Sequence, residues 1–125
     1  MAKILLIEDD ALLAGVVEAV LRKAGYTVVT IPNGGTALAK LEDENPDLIV
    51  TDLIMPEKEG IETIRAIREK DEHVPIVAYS GGGVMKNYDF LKMAVKLGAN
   101  DALCKPFANE TLLAVVKRLL ENRTV

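Results

Sequence analysis

Five short apolar runs recur along the chain, each followed by a stretch whose apolar residues return at helical spacing. This alternation limits the fold more than any other feature. KILLI at 3–7, YTVVTI at 26–31, LIVT at 48–51, IVAY at 76–79 and ALC at 102–104 are aliphatic or β-branched and too short for helices. After the first run, Leu12, Leu13, Val16, Val17, Val20 and Leu21 trace one dry face of a helix, and Gly25 stands where a helix-ending glycine belongs. Pro32, Asn33, Gly34 and Gly35 turn the chain into a helix over about 36–44, closed by Asn45 and Pro46. A third helix follows the loop LIMPEKEG, with Ile61, Ile64 and Ile67 facing inward and Arg65 and Arg68 outward. A fourth, over about 87–97, stops at Gly98. The last starts near Asn109, a suitable N-cap, and buries Leu112, Leu113, Val116, Leu119 and Leu120.

Strands that are apolar throughout, alternating with amphipathic helices, predict an α/β fold: a doubly wound five-stranded parallel sheet with helices on both faces. The flavodoxin-like strand order 2-1-3-4-5 is the expected arrangement. At 125 residues, with no linker, repeat or low-complexity stretch, the chain is expected to form a single domain over 1–125. With 50% hydrophobic and 27% charged residues it is no disordered chain, and with 4% aromatics and no Trp its core must be aliphatic.

Fifteen Lys and Arg against nineteen Asp and Glu leave a net charge of −4, so no direct nucleic-acid binding is expected. The apolar runs are far shorter than the ~20 residues that span a bilayer, so no membrane association is expected. MAKILLIEDD lacks the basic start and cleavage site of a signal peptide. The single cysteine, Cys104, cannot form an internal disulfide, which suits a reducing, cytoplasmic setting. Cys104, taken to lie on a central strand, is read as core packing, and His73, in a polar loop, as a solvated residue. Gly81–Gly83 lack the spacing of a P-loop or dinucleotide fingerprint and read as a flexible loop.

The polar residues carry the functional signal. Four of the five strands run into a polar or charged group at the carboxyl end: Glu8-Asp9, Asp52, Ser80 and Lys105. In open α/β sheets ligands sit outside those ends, where strand order reverses. That crevice, between strands one and three, would gather Glu8, Asp9 and Asp52, with Ser80 and Lys105 on the adjoining edge. Any one of these residues could be a cap or a surface group, and Asp10 is read as the cap of the first helix. Their joint placement is harder to dismiss. Three crowded carboxylates call for a hard cation such as Mg²⁺, which takes one or two carboxylates plus a phosphate. A lysine, a hydroxyl and backbone N–H groups are suited to a phosphoryl group in transit, and a carboxylate can accept it. The chemistry implied is phosphoryl transfer to an aspartate.

ILLIEDD, LIVTDLIMP with Gly60 four residues on, IVAYS and the Lys105-Pro106-Phe107 triplet together resemble a response-regulator receiver domain, the CheY-like module of two-component signalling. The likeness runs from strand one to helix five. It implies that Asp52 is the phospho-acceptor, that Asp9 binds Mg²⁺ more directly and that Glu8 acts mainly through water. It further implies that Ile54 offers a backbone carbonyl to Mg²⁺, that Ile54 and Gly81 lie about the phosphoryl group, that Ser80 is the switch hydroxyl and that Lys105 pairs with the phosphoryl group across a cis Lys105-Pro106 bond. The expected phosphodonor is a phosphohistidine on a sensor histidine kinase or histidine phosphotransfer protein. Such a domain is not an enzyme beyond catalysing its own phosphorylation and dephosphorylation.

Three departures from the family pattern stand out. Ala102 occupies the place of an aromatic switch, the stretch from Ser80 to Lys105 is longer than expected, with the insertion at Gly81–Gly83 and Val84–Asn87, and no output domain is expected within these 125 residues. Output is therefore expected to pass to a downstream protein effector or another domain. On this reading the loop after Ser80 re-forms the helix-four face, with Tyr79, Tyr88 and Phe90 as candidate replacement reporters. A homodimer through that face stays open. A haloacid-dehalogenase-type phosphatase would need Asp where Ile54 stands, and a flavodoxin-like FMN site would set phosphate against Glu8-Asp9-Asp10. A pseudo-receiver, a phosphorylation-independent interaction module, is the remaining alternative, against which the intact set Glu8, Asp9, Asp52, Ser80 and Lys105 argues.

Overall fold

Alternation along the strands sorts the interior into two apolar layers, one on each side of a single sheet. The computed structural model describes residues 2–53, 59–80, 88–104 and 107–122, with backbone alone at 59–60, 80 and 88–91. The strands are β1 (Lys3–Ile7), β2 (Thr27–Ile31), β3 (Leu48–Asp52), β4 (Ile76–Ser80) and β5 (Asp101–Cys104). The helices are α1 (Ala11–Lys23), α2 (Ala37–Glu44, preceded by a 3₁₀ turn at Gly34–Thr36), α3 (Glu59–Lys70), α4 (Tyr88–Leu97) and α5 (Asn109–Glu121). Every strand pairing is parallel and the order is β2-β1-β3-β4-β5, as the sequence predicts.

Ile4 and Leu6 of β1, Leu48 and Val50 of β3, and Val77 and Tyr79 of β4 pack with Ala14, Val17 and Leu21 of α1 and Leu112 and Val116 of α5. The residues of opposite phase, Leu5, Ile7, Ile49, Ile76 and Ala78, pack with Ala37 and Leu41 of α2, Ile61, Ile64 and Ile67 of α3, and Ala94 of α4. A residue's phase on its strand thus decides which helices it meets. β3 is buried at all five positions because strands flank it and helices cover both its faces.

The helix ends follow the local sequence. Asp10 caps α1, its side chain accepting from the N–H groups of Leu12 and Leu13. Gly25, at φ +102°, closes α1, with its N–H donated to the Arg22 carbonyl and that of Tyr26 to Leu21.

Four expectations are corrected. Leu12 and Val16 are exposed, because the inward face of α1 runs through Ala14, Val17 and Leu21, one position out of step with them. Arg68 is partly buried: it donates to the carbonyls of Gly98 and Asp71 and to the Asn100 side chain, tying α3 to the end of α4. Desolvation moves this guanidinium below its usual range. Asn109 is the first residue of α5 and Ala108 the cap, with no side-chain capping bond. Cys104 is exposed, because β5 is an edge strand and Cys104 ends it. His73 is exposed, as expected.

Candidate functional site

The phase rule that builds the core also builds the site. Glu8 follows Ile4 and Leu6, Asp52 follows Leu48 and Val50, and Tyr79 follows Val77, so all three share the phase of the α1/α5 layer. The backbone N–H of Glu8 donates to the Ile31 carbonyl at 3.0 Å, extending the β1–β2 ladder one step beyond the strand. On β3, Asp52 stands in register with Tyr79 of β4. Since β1 and β3 are neighbours whose connections leave in opposite directions, their carboxyl ends open into one crevice.

Glu8, Asp9 and Asp52 meet there, each offering a carboxylate oxygen, with the three oxygens within 4.8 Å of one another. Glu8 and Asp52 are buried, at 2% and 4% exposure, while Asp9 opens to solvent. Unit charges this close repel by about 3–4 kcal/mol per pair at an effective dielectric of about 20. The strand ends hold them together despite that. A set of hard oxygen donors, partly buried and open on one side, suits an Mg²⁺-sized cation that keeps some of its water.

The Glu8 carboxylate is fixed from two sides. One oxygen accepts from the backbone N–H of Asp10 at 3.0 Å, the other from the hydroxyl of Tyr79. The Asp10 amide is itself set by the capping turn of α1, so the cap and the site share a loop. Tyr79 is fully buried, and its ring meets Phe107 edge-on with centroids 5.7 Å apart. Burial first, then the bond to Glu8 and the charges of Glu8, Asp52 and Asp9, push its hydroxyl far above the usual tyrosine range. It therefore stays protonated and serves as a donor.

The structure brings together Glu8, Asp9 and Asp52 of the expected set. Ser80 ends β4 in register with Cys104, with its side chain outside the described residues. Ile54, Gly81 with the rest of the loop over 81–87, and Lys105 with Pro106 also lie outside them, as do the side chains of Tyr88 and Phe90. Tyr79 as a partner of Glu8 is new. Its signal in the sequence is a phenol after three aliphatic residues, at a buried phase, where the hydroxyl must find a partner.

Comparison with known proteins follows the same outline. Residues 4–117 match the response regulator receiver domain family. The chain is 34% identical over 124 residues to the alkaline phosphatase synthesis transcriptional regulatory protein PhoP of Bacillus subtilis, covering 98% of this chain and 50% of that protein. It is 38% identical over 120 residues to the transcriptional regulatory protein CpxR homolog of Haemophilus influenzae, covering 96% and 51%. The chain thus spans about half the length of these relatives. Among solved structures, the receiver domain of Francisella response regulator 1452 superposes with a TM-score of 0.86 at 26% identity, covering 97% of this chain and 98% of that one. A response regulator receiver domain protein from Clostridium thermocellum gives 0.88 at 25% identity, covering 97% and 95%.

Proposed function

Because the chain belongs to the response regulator receiver domain family, we propose that it accepts a phosphoryl group on Asp52 from a phosphohistidine and relays the change to a partner. The observation that carries this reading is the cluster of Glu8, Asp9 and Asp52 at the carboxyl ends of β1 and β3, with Asp52 buried and Asp9 exposed. We take 1–125 as one receiver domain in a cytoplasmic, reducing setting, where a single exposed cysteine is stable.

In the proposed step a carboxylate oxygen of Asp52 forms a bond to phosphorus as the phosphorus–nitrogen bond of the donor breaks. The bonding pair returns to the imidazole nitrogen, leaving an aspartyl phosphate. Glu8, Asp9 and Asp52 would hold Mg²⁺. When bound, Mg²⁺ supplies positive charge that offsets the carboxylates and the phosphoryl oxygens. Asp9, the open member of the cluster, would face the metal directly, and Glu8, held by Tyr79 and Asp10, would act through water. Ser80 would donate its hydroxyl to the new phosphoryl group, Lys105 would pair with it, and the backbone groups of Ile54 and Gly81 would line it. Hydrolysis of the aspartyl phosphate on the same site would reset the domain.

The donor we propose is a sensor histidine kinase or histidine phosphotransfer protein. For the downstream effector, a cavity of about 460 Å³ beside α4 and β5 offers a docking face, lined by Lys92, Val95, Lys96, Asp101 and Ala102. Ala102 puts a small side chain on that face, and among the described residues lining it none is aromatic. The names of PhoP and the CpxR homolog describe transcriptional regulators, and we propose that this receiver likewise controls an effector.

Incubation with acetyl phosphate and Mg²⁺, followed by intact-mass measurement, tests the reading: an adduct of about 80 Da, one phosphoryl group, is expected. It should vanish in Asp52→Asn. An adduct that persists in that variant would remove Asp52 from the role.

A further inference from the structure

We propose that Tyr79 is a positioning residue: its hydroxyl anchors Glu8 within the acidic cluster, and its ring links the state of that cluster to Phe107 and the start of α5. The inference rests on the cation-binding reading above and extends it to a second face of the domain.

A buried tyrosine in a strand needs a reason. Phenylalanine would fill nearly the same space without desolvating a hydroxyl. Here the hydroxyl reaches Glu8, the buried member of the cluster, and donates to the oxygen that the Asp10 amide does not serve. Glu8 and Tyr79 are 71 residues apart in sequence, on β1 and β4, with β3 and its Asp52 between them. Any cation or hydrated cation that draws on Glu8 must share that carboxylate with the Tyr79 hydroxyl. The Asp10 amide belongs to the backbone of the α1 turn, whereas the Tyr79 hydroxyl reaches Glu8 from a ring packed in the core layer.

The response has a defined path. Tyr79 packs edge-on against Phe107, which lies just before α5, and both belong to the layer between the sheet and α1/α5. α4 packs on the opposite face, through Ala94. A change conveyed by Tyr79 therefore arrives at α5. The described contacts of the Tyr79 side chain thus lead toward α5, while Ala94 of α4 packs in the other layer.

The test is an Mg²⁺ titration of chelator-stripped protein followed by backbone amide and aromatic ring resonances. In the parent protein, Asp9 and Asp10 should move together with Phe107 and Leu112, with one midpoint. In Tyr79→Phe the Asp9 and Asp10 movements should persist, while those of Phe107 and Leu112 fall by about half or more, as expected for coupling through one bond. Full-size movements of Phe107 and Leu112 in Tyr79→Phe, or none in the parent while Asp9 moves, would overturn the proposal alone. No movement of Asp9 in the parent would overturn the cation reading as well. Should Tyr79→Phe fail to fold, Phe107→Leu serves instead: Mg²⁺ should still shift the Tyr79 ring while the Leu112 response shrinks, and an undiminished Leu112 response would overturn the link.

Discussion

The hydroxyl of Tyr79, on β4, donates to the carboxylate of Glu8, at the end of β1, reaching across the end of β3 where Asp52 stands. One bond thus ties together the two strands that flank the proposed acceptor. It also gives a buried anion a neutral donor in a region of like charge.

Tyr79→Phe keeps the ring and its edge contact with Phe107 but leaves the buried Glu8 carboxylate one donor short. Without Mg²⁺ the variant should be less stable by about 1–3 kcal/mol, the cost of stripping a hydrogen bond from a buried polar group. Tyr79→Leu should cost more, since it also loses an aromatic pair contributing about 0.5–1.5 kcal/mol. Urea unfolding with chelator present measures both. A Tyr79→Phe protein as stable as the parent would mean that the hydroxyl contributes nothing to the fold.

Mg²⁺ should stabilise the parent protein by mass action, by about 1.4 kcal/mol at ten times its dissociation constant. Asp52→Asn removes one of the three carboxylates crowded in the crevice, and with it part of their mutual repulsion in the metal-free protein. The same change removes a charged ligand, so the Mg²⁺ needed for a given rise in Tm should increase about tenfold or more. Thermal melts of both proteins across an MgCl₂ series check this. Equal Mg²⁺ responses in the two proteins would place the cation away from Asp52.

Glu18 of α1 gives a pH signature unconnected with the site. Its carboxylate accepts from the Thr30 hydroxyl at 2.6 Å and from Arg22 at 2.8 Å, which hold it below the ordinary value of 4.5, Thr30 having the larger effect. A carboxyl lowered on folding contributes stability above its unfolded value, and that contribution is lost as pH falls through the folded one. Glu18→Gln should therefore be less stable than the parent at pH 7, with the gap closing on acidification below 4.5. The pair is largely solvated, so the gap should not exceed about 1 kcal/mol. Urea midpoints across pH check it, and a gap that widens on acidification would reverse the assignment.

The sheet order, the covering of both faces and the gathering of Glu8, Asp9 and Asp52 were legible in the sequence, because strand phase and strand-end position need only local pattern and a topology rule. What escaped depended on tertiary context. Leu12 and Val16 satisfy helical spacing, yet the helix turns a neighbouring stripe inward. Arg68 reads as a surface charge until the end of α4 arrives beside it to supply acceptors. Cys104 lies in an apolar run, but on an edge strand. The Tyr79–Glu8 bond joins residues far apart in sequence, and no local period encodes it.

Ala102 lines the cavity beside α4 and β5 and is only partly buried. An aromatic there would have room among Lys92, Val95 and Lys96. Ala102→Tyr should change stability by no more than about 1 kcal/mol, unlike an overpacked core position. A loss of several °C in Tm would mean that the cavity is closed to side chains of that size.

Two glycines should respond to alanine in opposite ways. Gly98, after α4, has φ +133°, and a Cβ there would lie 2.5 Å from Cγ of Arg68. The Nε of that same arginine donates to the Gly98 carbonyl at 2.9 Å, so the side chain cannot withdraw without giving up its bond between α3 and α4. Gly98→Ala should cost about 1–3 kcal/mol from the backbone alone, more with Arg68 displaced. Gly15 lies within α1, exposed, with nothing within 4 Å of an added Cβ. Gly15→Ala should stabilise by about 0.5–1 kcal/mol, through the entropy it removes from the unfolded chain. Urea unfolding of the two variants side by side checks the pair. A Gly98→Ala protein as stable as the parent would contradict both the left-handed backbone and the close approach of Arg68.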